Sequence, residues 1–281
     1  MLHVFGVGDN VVDMYVHTKM MYPGGNALNF SVYASQLGAR SSYLGVFGSD
    51  RAAAHIISVM REMGIDVSRC RHHQGENGYA MVDVVEGDRV FVGGNKGGVQ
   101  RHYPIRLDSE DLAWLAGADL VHSSCYSGTE EEIGKIAALG VPVSYDFSAD
   151  WNDAYLRKLC PYVTCSFLSC SHLSDEAVKE VLEAVNRYGS RLCLATMGTR
   201  GAVFYDGTSF YRQAPQLVTA TDTLGAGDSF FTAFILNYLA GRKGGAAASD
   251  FGLITESLKK GAAFAAKTCL VDGAFGHGVP F

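Results

Sequence analysis

Residues 222–228 read Asp-Thr-Leu-Gly-Ala-Gly-Asp, end a polar, strand-like stretch and open a helix predicted from about 226 to 240. The two glycines allow backbone N–H groups to turn inward, and the helix dipole adds partial positive charge at the same place. This pattern predicts a binding site for a developing anion. Asp228 falls in the first helical turn, where its carboxylate can accept a proton from a bound hydroxyl. An anion site beside a base is what phosphoryl transfer to an alcohol requires.

A Gly-rich loop before a helix is common, and an aspartate in the first turn can simply stabilise that helix. Here the helix is apolar almost all round over residues 229–239, which predicts that it is buried. A buried helix places its N-terminus at the bottom of a cleft rather than on an open surface. The pattern therefore favours an active site at Asp228 over a purely structural cap.

The composition excludes several classes of partner. The 281 residues carry a formal net charge of −6 and no basic run, which argues against nucleic acid or an anionic membrane. No uncharged apolar stretch of about 18 residues occurs, and residues 2–8 are too short for a signal peptide. The 7 cysteines are scattered and form no CxxC, so we expect reduced thiols and no zinc site. We expect a cytoplasmic protein.

Apolar segments alternate between strand and helix patterns along the chain. Strands predicted at 3–7 and 42–46 flank a helix that begins after a break at 23–26. From residue 112 onward, helices alternate with strands predicted at 119–123, 141–146, 162–168 and 191–196. This alternation indicates βαβ units, and therefore an α/β fold whose parallel sheet carries helices on both faces.

Two hairpins interrupt the alternation. Residues 79–85 and 88–93 alternate weakly around Glu86-Gly87-Asp88, which predicts a hairpin in a small appended sheet. A second hairpin is predicted at Asp206-Gly207, before the helices at 226–240 and about 251–268.

Polar and glycine residues follow several of the predicted strands. They are Asp9, Asn10, Asp146, Thr196, Gly198 and Asp222. Ligands of an open α/β sheet bind at the carboxyl ends of its strands. Because these residues come from distant parts of the chain, their convergence predicts a single active cleft.

Other motifs are incomplete or absent. Residues 6–8 read Gly-Val-Gly without the third glycine of a dinucleotide fingerprint, and neither a Walker A sequence nor a GxSxG elbow occurs. The histidines at 72, 73, 102 and 122 have no partner spacing, so we expect them to be solvated or structural.

Three motifs, in this order, resemble the ribokinase-like (PfkB) carbohydrate kinases. They are residues 24–29 (Gly-Gly-Asn-Ala-Leu-Asn), 196–201 (Thr-Met-Gly-Thr-Arg-Gly) and 222–228, within a resemblance that runs from about residue 6 to 276. The resemblance implies an ATP-dependent sugar kinase with a Rossmann-like, three-layer α/β/α core. It implies one domain over residues 1–281, with a small β-sheet lid formed by parts of 12–20 and 79–93.

The resemblance also implies a role for each matching position. Asp228 would be the catalytic base, and the backbone of Gly225, Ala226 and Gly227 would form the anion hole. The implied substrate-binding residues are Asp9, Asp13, Gly25, Asn26, Asn29 and Asp222. The implied cofactor-binding residues are Thr196, Gly198, Gly201, Gly225 and Gly227. Carboxylates and amides suit sugar hydroxyls because they accept and donate hydrogen bonds.

The implied cofactors are ATP and Mg²⁺, with a monovalent cation such as K⁺ near Asp222 as a further candidate. One departure concerns the metal. The family usually carries Asn-x-x-Glu after a mid-chain strand, but residues 169–172 here read Ser-Cys-Ser-His. Either ATP, water and other carboxylates hold the metal, or a different segment aligns with that motif. We leave the metal ligands unassigned.

Within the family, four further stretches resemble the kinases of fructoselysine. They are residues 8–10 with Asp13, 146–148 with Trp151, 212–215 and 265–268. The resemblance implies phosphorylation of the 6-hydroxyl of this sugar–lysine Amadori adduct. Another fructosamine, a ketohexose, a nucleoside, or a catalytically silent sugar-binding regulatory role on the same fold remain open. The absent third glycine argues against the hypothesis of a dinucleotide-dependent oxidoreductase.

Exposed lid strands often pair between subunits, so we expect a homodimer.

Overall fold

The computed structural model of the chain describes residues 1–85 and 88–281. In this part of the chain the strands are β1 His3–Gly8, β2 Val11–Tyr15, β3 Met20–Gly24, β4 Arg40–Phe47, β5 Arg71–His72, β6 Gly78–Val85, β7 Asp88–Gly94, β8 Leu120–Ser124, β9 Val143–Asp146, β10 Cys165–Ser169, β11 Leu192–Thr196, β12 Ala202–Tyr205, β13 Phe210–Gln213 and β14 Val279–Pro280. The α-helices are α1 Asn26–Gln36, α2 Arg51–Glu62, α3 Val99–His102, α4 Ser109–Leu115, α5 Ile133–Ala137, α6 Asp153–Leu159, α7 Asp175–Arg187, α8 Ala226–Lys243 and α9 Phe251–Thr268.

The larger sheet has the strand order β13-β12-β11-β10-β9-β8-β1-β4-β5. Neighbouring strands from β11 to β5 are parallel, and only the hairpin of β12 and β13 adds antiparallel pairs at one edge. The predicted parallel sheet and the hairpin at 206–207 are therefore confirmed.

Helices cover both faces of this sheet. Phe30 of α1, Phe231 of α8 and Ile254 of α9 belong to one buried cluster with strand residues. Leu156 of α6 and Leu182 of α7 belong to another buried cluster on the sheet. Burying one such side chain contributes about 1.5–3 kcal/mol, so two apolar layers hold the sheet between helices. The predicted three-layer α/β/α fold is confirmed.

The second sheet has the order β14-β3-β2-β6-β7. It contains the predicted β6–β7 pair, whereas the turn residues Glu86 and Gly87 lie outside the described part of the chain. The sequence prediction missed β3, because Pro23 and Gly24 indicated only a break. Pro23 pairs with Val12 on β2, whereas the described residues of β14 pair with Met20 and Met21 of β3. Strand β14 therefore does not extend to Pro23, and the missing N–H of this proline leaves no acceptor on β14 unsatisfied.

The polar, strand-like stretch expected before residue 222 is not a strand. Residues 214–221 form no regular structure and are largely exposed, and Pro215 near its start cannot donate a ladder hydrogen bond. By contrast, α8 begins at Ala226 and its residues from Ser229 to Leu236 are buried, as its sequence predicts. In the described residues, no helix combines the length and apolar character that crossing a membrane would need.

Candidate active site

Two cavities meet at the N-terminus of α8. The larger, which we call the main cleft, has a volume of about 910 Å³ and lies between the carboxyl ends of β1, β9 and β10 and residues of the second sheet. The smaller, which we call the side cavity, has a volume of about 460 Å³. Gly227 lines both, so the first turn of α8 forms the wall between them.

Asp228 lines the main cleft from the first turn of α8. Its Oδ1 accepts a hydrogen bond from Asn26 Nδ2 (2.8 Å) and its Oδ2 accepts one from Asn29 Nδ2 (2.7 Å). Burial raises the pKa of Asp228 to about 7, although the Asn29 amide acts in the opposite direction. A carboxylate with a pKa near neutrality is suited to accept a proton during catalysis.

Asn26 is the centre of a polar network below Asp228. Its Nδ2 also donates to Asp146 Oδ2 (2.5 Å), so both amide hydrogens point to carboxylates. Its Oδ1 therefore faces His122 Nε2, and the two atoms are 3.0 Å apart. Because an amide oxygen can only accept a hydrogen bond, Nε2 must carry the ring hydrogen and donate it. His122 Nδ1 is then left to accept from Ser144 Oγ at 2.9 Å. The network fixes the orientation of the Asn26 amide.

His122 is a site residue that sequence reasoning missed. Its ring stacks on Phe30 at 4.5 Å between centroids and lies 5.1 Å from the ring of Phe231. Burial lowers the pKa of His122 to about 3, so the ring is neutral at physiological pH. The one available signal was a histidine within a predicted central strand, because the Asn26 contact joins residues 96 positions apart.

Asp9 organises the start of α1. Its Oδ2 accepts from Asn26 N (2.6 Å) and its Oδ1 from Ala27 N (3.3 Å), which supplies the cap that Gly25 cannot provide. Ser124 Oγ (2.9 Å) and Ser127 Oγ (2.8 Å) also donate to Oδ1. Asp9 lines the main cleft, but both of its oxygens are engaged by the protein, and its role towards substrate stays a prediction.

Asp13, Gly25 and Asn29 also line the main cleft. Gly25 has φ +112°, and a Cβ there would lie 2.8 Å from Asn10 Cα, so the bend into α1 requires glycine. The buried Asn29 Oδ1 has no hydrogen-bond partner in the described structure, and the same holds for Gln100 Oε1. An unsatisfied buried acceptor costs about 1–3 kcal/mol, so the wall of the cleft contains two polar groups that destabilise the fold.

Asp222 is not among the described residues that line either cavity. Its Oδ1 accepts from Leu224 N (2.9 Å), and its Oδ2 accepts from Gly273 N (2.9 Å) and from the Tyr15 hydroxyl. These bonds shape the loop that leads into α8. Its predicted contact with substrate stays a prediction.

The side cavity contains most of the predicted cofactor-binding residues. Thr196, Gly198, Gly201 and Gly227 line it, whereas Gly225 lines only the main cleft. Apolar residues complete its wall: Leu217, Val218, Phe230, Ala262 and Ala266. A mostly apolar cavity beside a glycine-rich loop can hold a flat ring next to a phosphate chain.

The N-terminus of α8, with Gly225 before it, presents backbone N–H groups. Ala226 N donates to Thr223 O (3.3 Å), while the described residues offer no acceptor to the N–H of Gly225 or Gly227. Gly225 has φ +72°, and a Cβ there would lie 2.2 Å from the Tyr33 hydroxyl oxygen. The unpaired N–H groups lie at the positive end of an 18-residue helix, as the predicted anion site requires.

Comparison with known proteins identifies the family. Residues 5–276 match the model of the pfkB family carbohydrate kinases. The chain belongs to the pfkB family. It is 41% identical over 281 residues to "Fructosamine kinase FrlD" of Bacillus subtilis, a match that covers 100% of this chain and 95% of that protein. It is 32% identical over 269 residues to "Fructoselysine 6-kinase" of Escherichia coli, covering 96% and 98%.

Among solved structures, ribokinase from Giardia lamblia superimposes with a TM-score of 0.84 at 17% identity, covering 98% of this chain and 95% of that one. At this identity the likeness shows the fold alone. Family and relatives together make this PfkB protein an ATP-dependent sugar kinase.

The described residues of this PfkB kinase do not form a metal site of their own. No cluster of three or more metal-binding side chains occurs in the described ranges. In the segment that replaces Asn-x-x-Glu, Ser169 lines the main cleft and Cys170 is fully buried. Neither side chain is a carboxylate, the hard oxygen ligand that Mg²⁺ prefers.

Proposed function

We propose that this kinase transfers the γ-phosphoryl group of ATP to the 6-hydroxyl of fructoselysine. The observation that carries the proposal is the set of four carboxyl groups in the wall of the main cleft, from Asp9, Asp13, Asp146 and Asp228. Burial raises the pKa of Asp146 to about 8 and that of Asp228 to about 7. A nearby cation favours the charged form of a carboxyl group, so this wall favours a cationic ligand over a neutral sugar. An Amadori adduct of lysine is a sugar that carries ammonium groups. The names of the relatives support the same substrate class.

In the proposed reaction the sugar occupies the main cleft and ATP the side cavity. The 6-hydroxyl oxygen attacks the γ-phosphorus, the bond from that phosphorus to the β–γ bridging oxygen breaks, and ADP leaves. Asp228 accepts the hydroxyl proton, and the N–H groups of Gly225 and Gly227 stabilise charge on the transferred group. Asp13, Gly25 and Asn29 bind the other hydroxyls. Mg²⁺ would accompany the nucleotide and offset its charge.

The second sheet would act as a lid within a single domain. It contributes Tyr79, Phe91 and Gly94 to the wall of the main cleft, opposite the residues of the larger sheet. Its closure would exclude water from the phosphoryl group, which otherwise competes with the sugar hydroxyl as acceptor.

A substrate panel tests the proposal. The kinase is assayed with ATP and Mg²⁺ on fructoselysine, fructose and adenosine, with kcat/KM as the measure and phosphorus NMR to locate the phosphate. We expect fructoselysine to give the highest kcat/KM and the 6-phosphate as product. A preference for fructose or adenosine would overturn the substrate class. Absence of sugar-dependent ADP formation with every compound would favour a silent binding protein.

A fructosamine of another amino acid is the second candidate, because the relative with 41% identity is named a fructosamine kinase without reference to lysine. Adding fructosylglycine and fructosylvaline to the panel separates the two. If either exceeds fructoselysine in kcat/KM, the amino-acid assignment changes while the kinase assignment stands.

A further inference from the structure

Lys96 is the one cationic side chain among the described residues that line the main cleft. The same wall carries four aspartates, yet within the described ranges the Lys96 ammonium has neither an ion pair nor a hydrogen bond. Because the ammonium group forms no ion pair with these aspartates, it does not serve to neutralise the charge of one of them. It is available to a ligand.

The backbone of Lys96 is held in a conformation that lysine disfavours. Lys96 has φ +56° and Gly97 has φ +94°, and Gly98 N donates to Asn95 O at 3.4 Å. Two positive φ values at the centre of a turn are typical of type I′, which prefers Asn, Asp or Gly. A lysine at such a position carries a cost in backbone strain.

Asn95 holds this turn in place. Its Oδ1 accepts from Tyr79 N (2.9 Å) and its Nδ2 donates to Asn77 O (2.8 Å). These two bonds hold the turn against β6 and against Asn77, the residue that precedes β6. The backbone of Lys96 is thus fixed at the wall of the main cleft. The side chain of Lys96 therefore extends from a fixed backbone and lines the cleft.

We propose that Lys96 binds the carboxylate of the amino-acid part of the substrate. The inference rests on the proposed function, because a plain sugar has no carboxylate. An adduct of lysine presents two ammonium groups and one carboxylate, and the cleft wall contains four aspartates and one lysine. The charges are complementary in sign. Lys96 lines the main cleft and not the side cavity, which favours the sugar adduct over the nucleotide as its partner.

The test compares Lys96→Asn with wild type on fructoselysine and on fructosylcadaverine, which keeps both amines but lacks the carboxylate. Asparagine suits a left-handed turn, so this variant should fold at least as well as wild type. We expect KM for fructoselysine to rise about tenfold or more, while KM for fructosylcadaverine and both kcat values stay within about twofold. Lys96→Met should give the same pattern without the turn preference.

Lys19 provides the matched control. It also has a positive φ, of 57°, and is exposed, but it lies in the β2–β3 turn outside both cavities. Lys19→Asn should leave both substrates unchanged. Equal loss of kcat on both substrates with Lys96→Asn would instead assign Lys96 to the phosphoryl group. No change with either substrate would leave Lys96 without a role, while fructoselysine turnover by wild type would still support the proposed function.

Discussion

The pKa of Asp228 connects its environment to the expected pH dependence of the reaction. Its usual value is 3.8, and burial raises it to about 7. Only the deprotonated carboxylate can accept the hydroxyl proton, so kcat/KM should fall as the pH drops through about 7 and level off above it. A pH profile of kcat/KM measures this in the free enzyme. A fall centred near the usual value of an aspartate would mean that Asp228 is not the titrating base.

Removing this carboxylate should separate chemistry from binding. Asp228→Asn keeps the shape of the side chain but cannot accept a proton, so we expect kcat to fall by about 10²–10⁴. Binding of ATP and sugar, measured by calorimetry, should change little because neither relies on the proton transfer. If turnover of the variant equals that of wild type, Asp228 has no part in the reaction.

His122 should act through Asn26 and not on the substrate. His122→Phe removes the donor to Asn26 Oδ1, and the loss of one buried hydrogen bond of about 1–2 kcal/mol corresponds to a kcat lower by about 5- to 30-fold. KM should change little. Ser144→Ala is the control, since it removes only the outer bond of the network and leaves that to Asn26 intact. A rise in KM without a fall in kcat would contradict a positioning role.

Local signals account for the parts of this site that can be predicted from sequence. Asn29 lies in a short motif at the start of α1, and Asp228 lies with the glycines at 225 and 227 in a second motif at the start of α8. Within each motif, one turn of helix and its preceding loop position the residues. His122, Gln100 and Lys96 have no such motif. Their places depend on which strands and turns are neighbours in space, and no local pattern in the sequence indicates those neighbours.

At the scale of elements, the two glycines before and within α8 should respond differently to alanine. At Gly225 the positive φ and the approach of the Tyr33 hydroxyl leave no room for a Cβ, so Gly225→Ala should lower both stability and activity. At Gly227 a Cβ would lie 3.6 Å from Phe167 Cζ, an ordinary contact. Gly227→Ala should therefore fold as well as wild type, and helix propensity favours it by about 0.5–1 kcal/mol.

Thermal unfolding of the two variants, with kcat measured in parallel, checks this contrast. Equal melting temperatures for both would show that the loop adapts at Gly225. In that case the unpaired N–H groups would not be held in place by the conformation of this residue.

The elements that repeat along the chain are predictable, and those that depend on distant pairing are not. The βαβ alternation predicts the larger sheet because each strand and its following helix are adjacent in sequence. Strand β14 has two residues and pairs with β3 more than 250 positions earlier, so no local pattern indicates it. Strand β3 contains Pro23, which locally indicates a break and is tolerated only because of its place in the pairing.

At the scale of the molecule, the second sheet both covers the main cleft and presents an open edge. Strand β7 is an edge strand of the second sheet. Its residues Val90, Phe91 and Val92 are 40%, 60% and 50% exposed. Proteins usually protect such an edge with charge, proline or a covering element. An exposed apolar edge therefore favours pairing with a second copy of the chain, and we expect a homodimer in solution.

Placing a charge on this edge should separate the subunits. A lysine at Val92 would have to be desolvated in a paired edge, so Val92→Lys should shift the mass measured by sedimentation from that of a dimer to that of a monomer. Leu270→Lys is the control, because Leu270 is similarly exposed, at 54%, but lies outside both sheets. A wild-type chain that sediments as a monomer at all concentrations would exclude the pairing. Dissociation by both substitutions would indicate an interface elsewhere, since only Val92 belongs to the β7 edge.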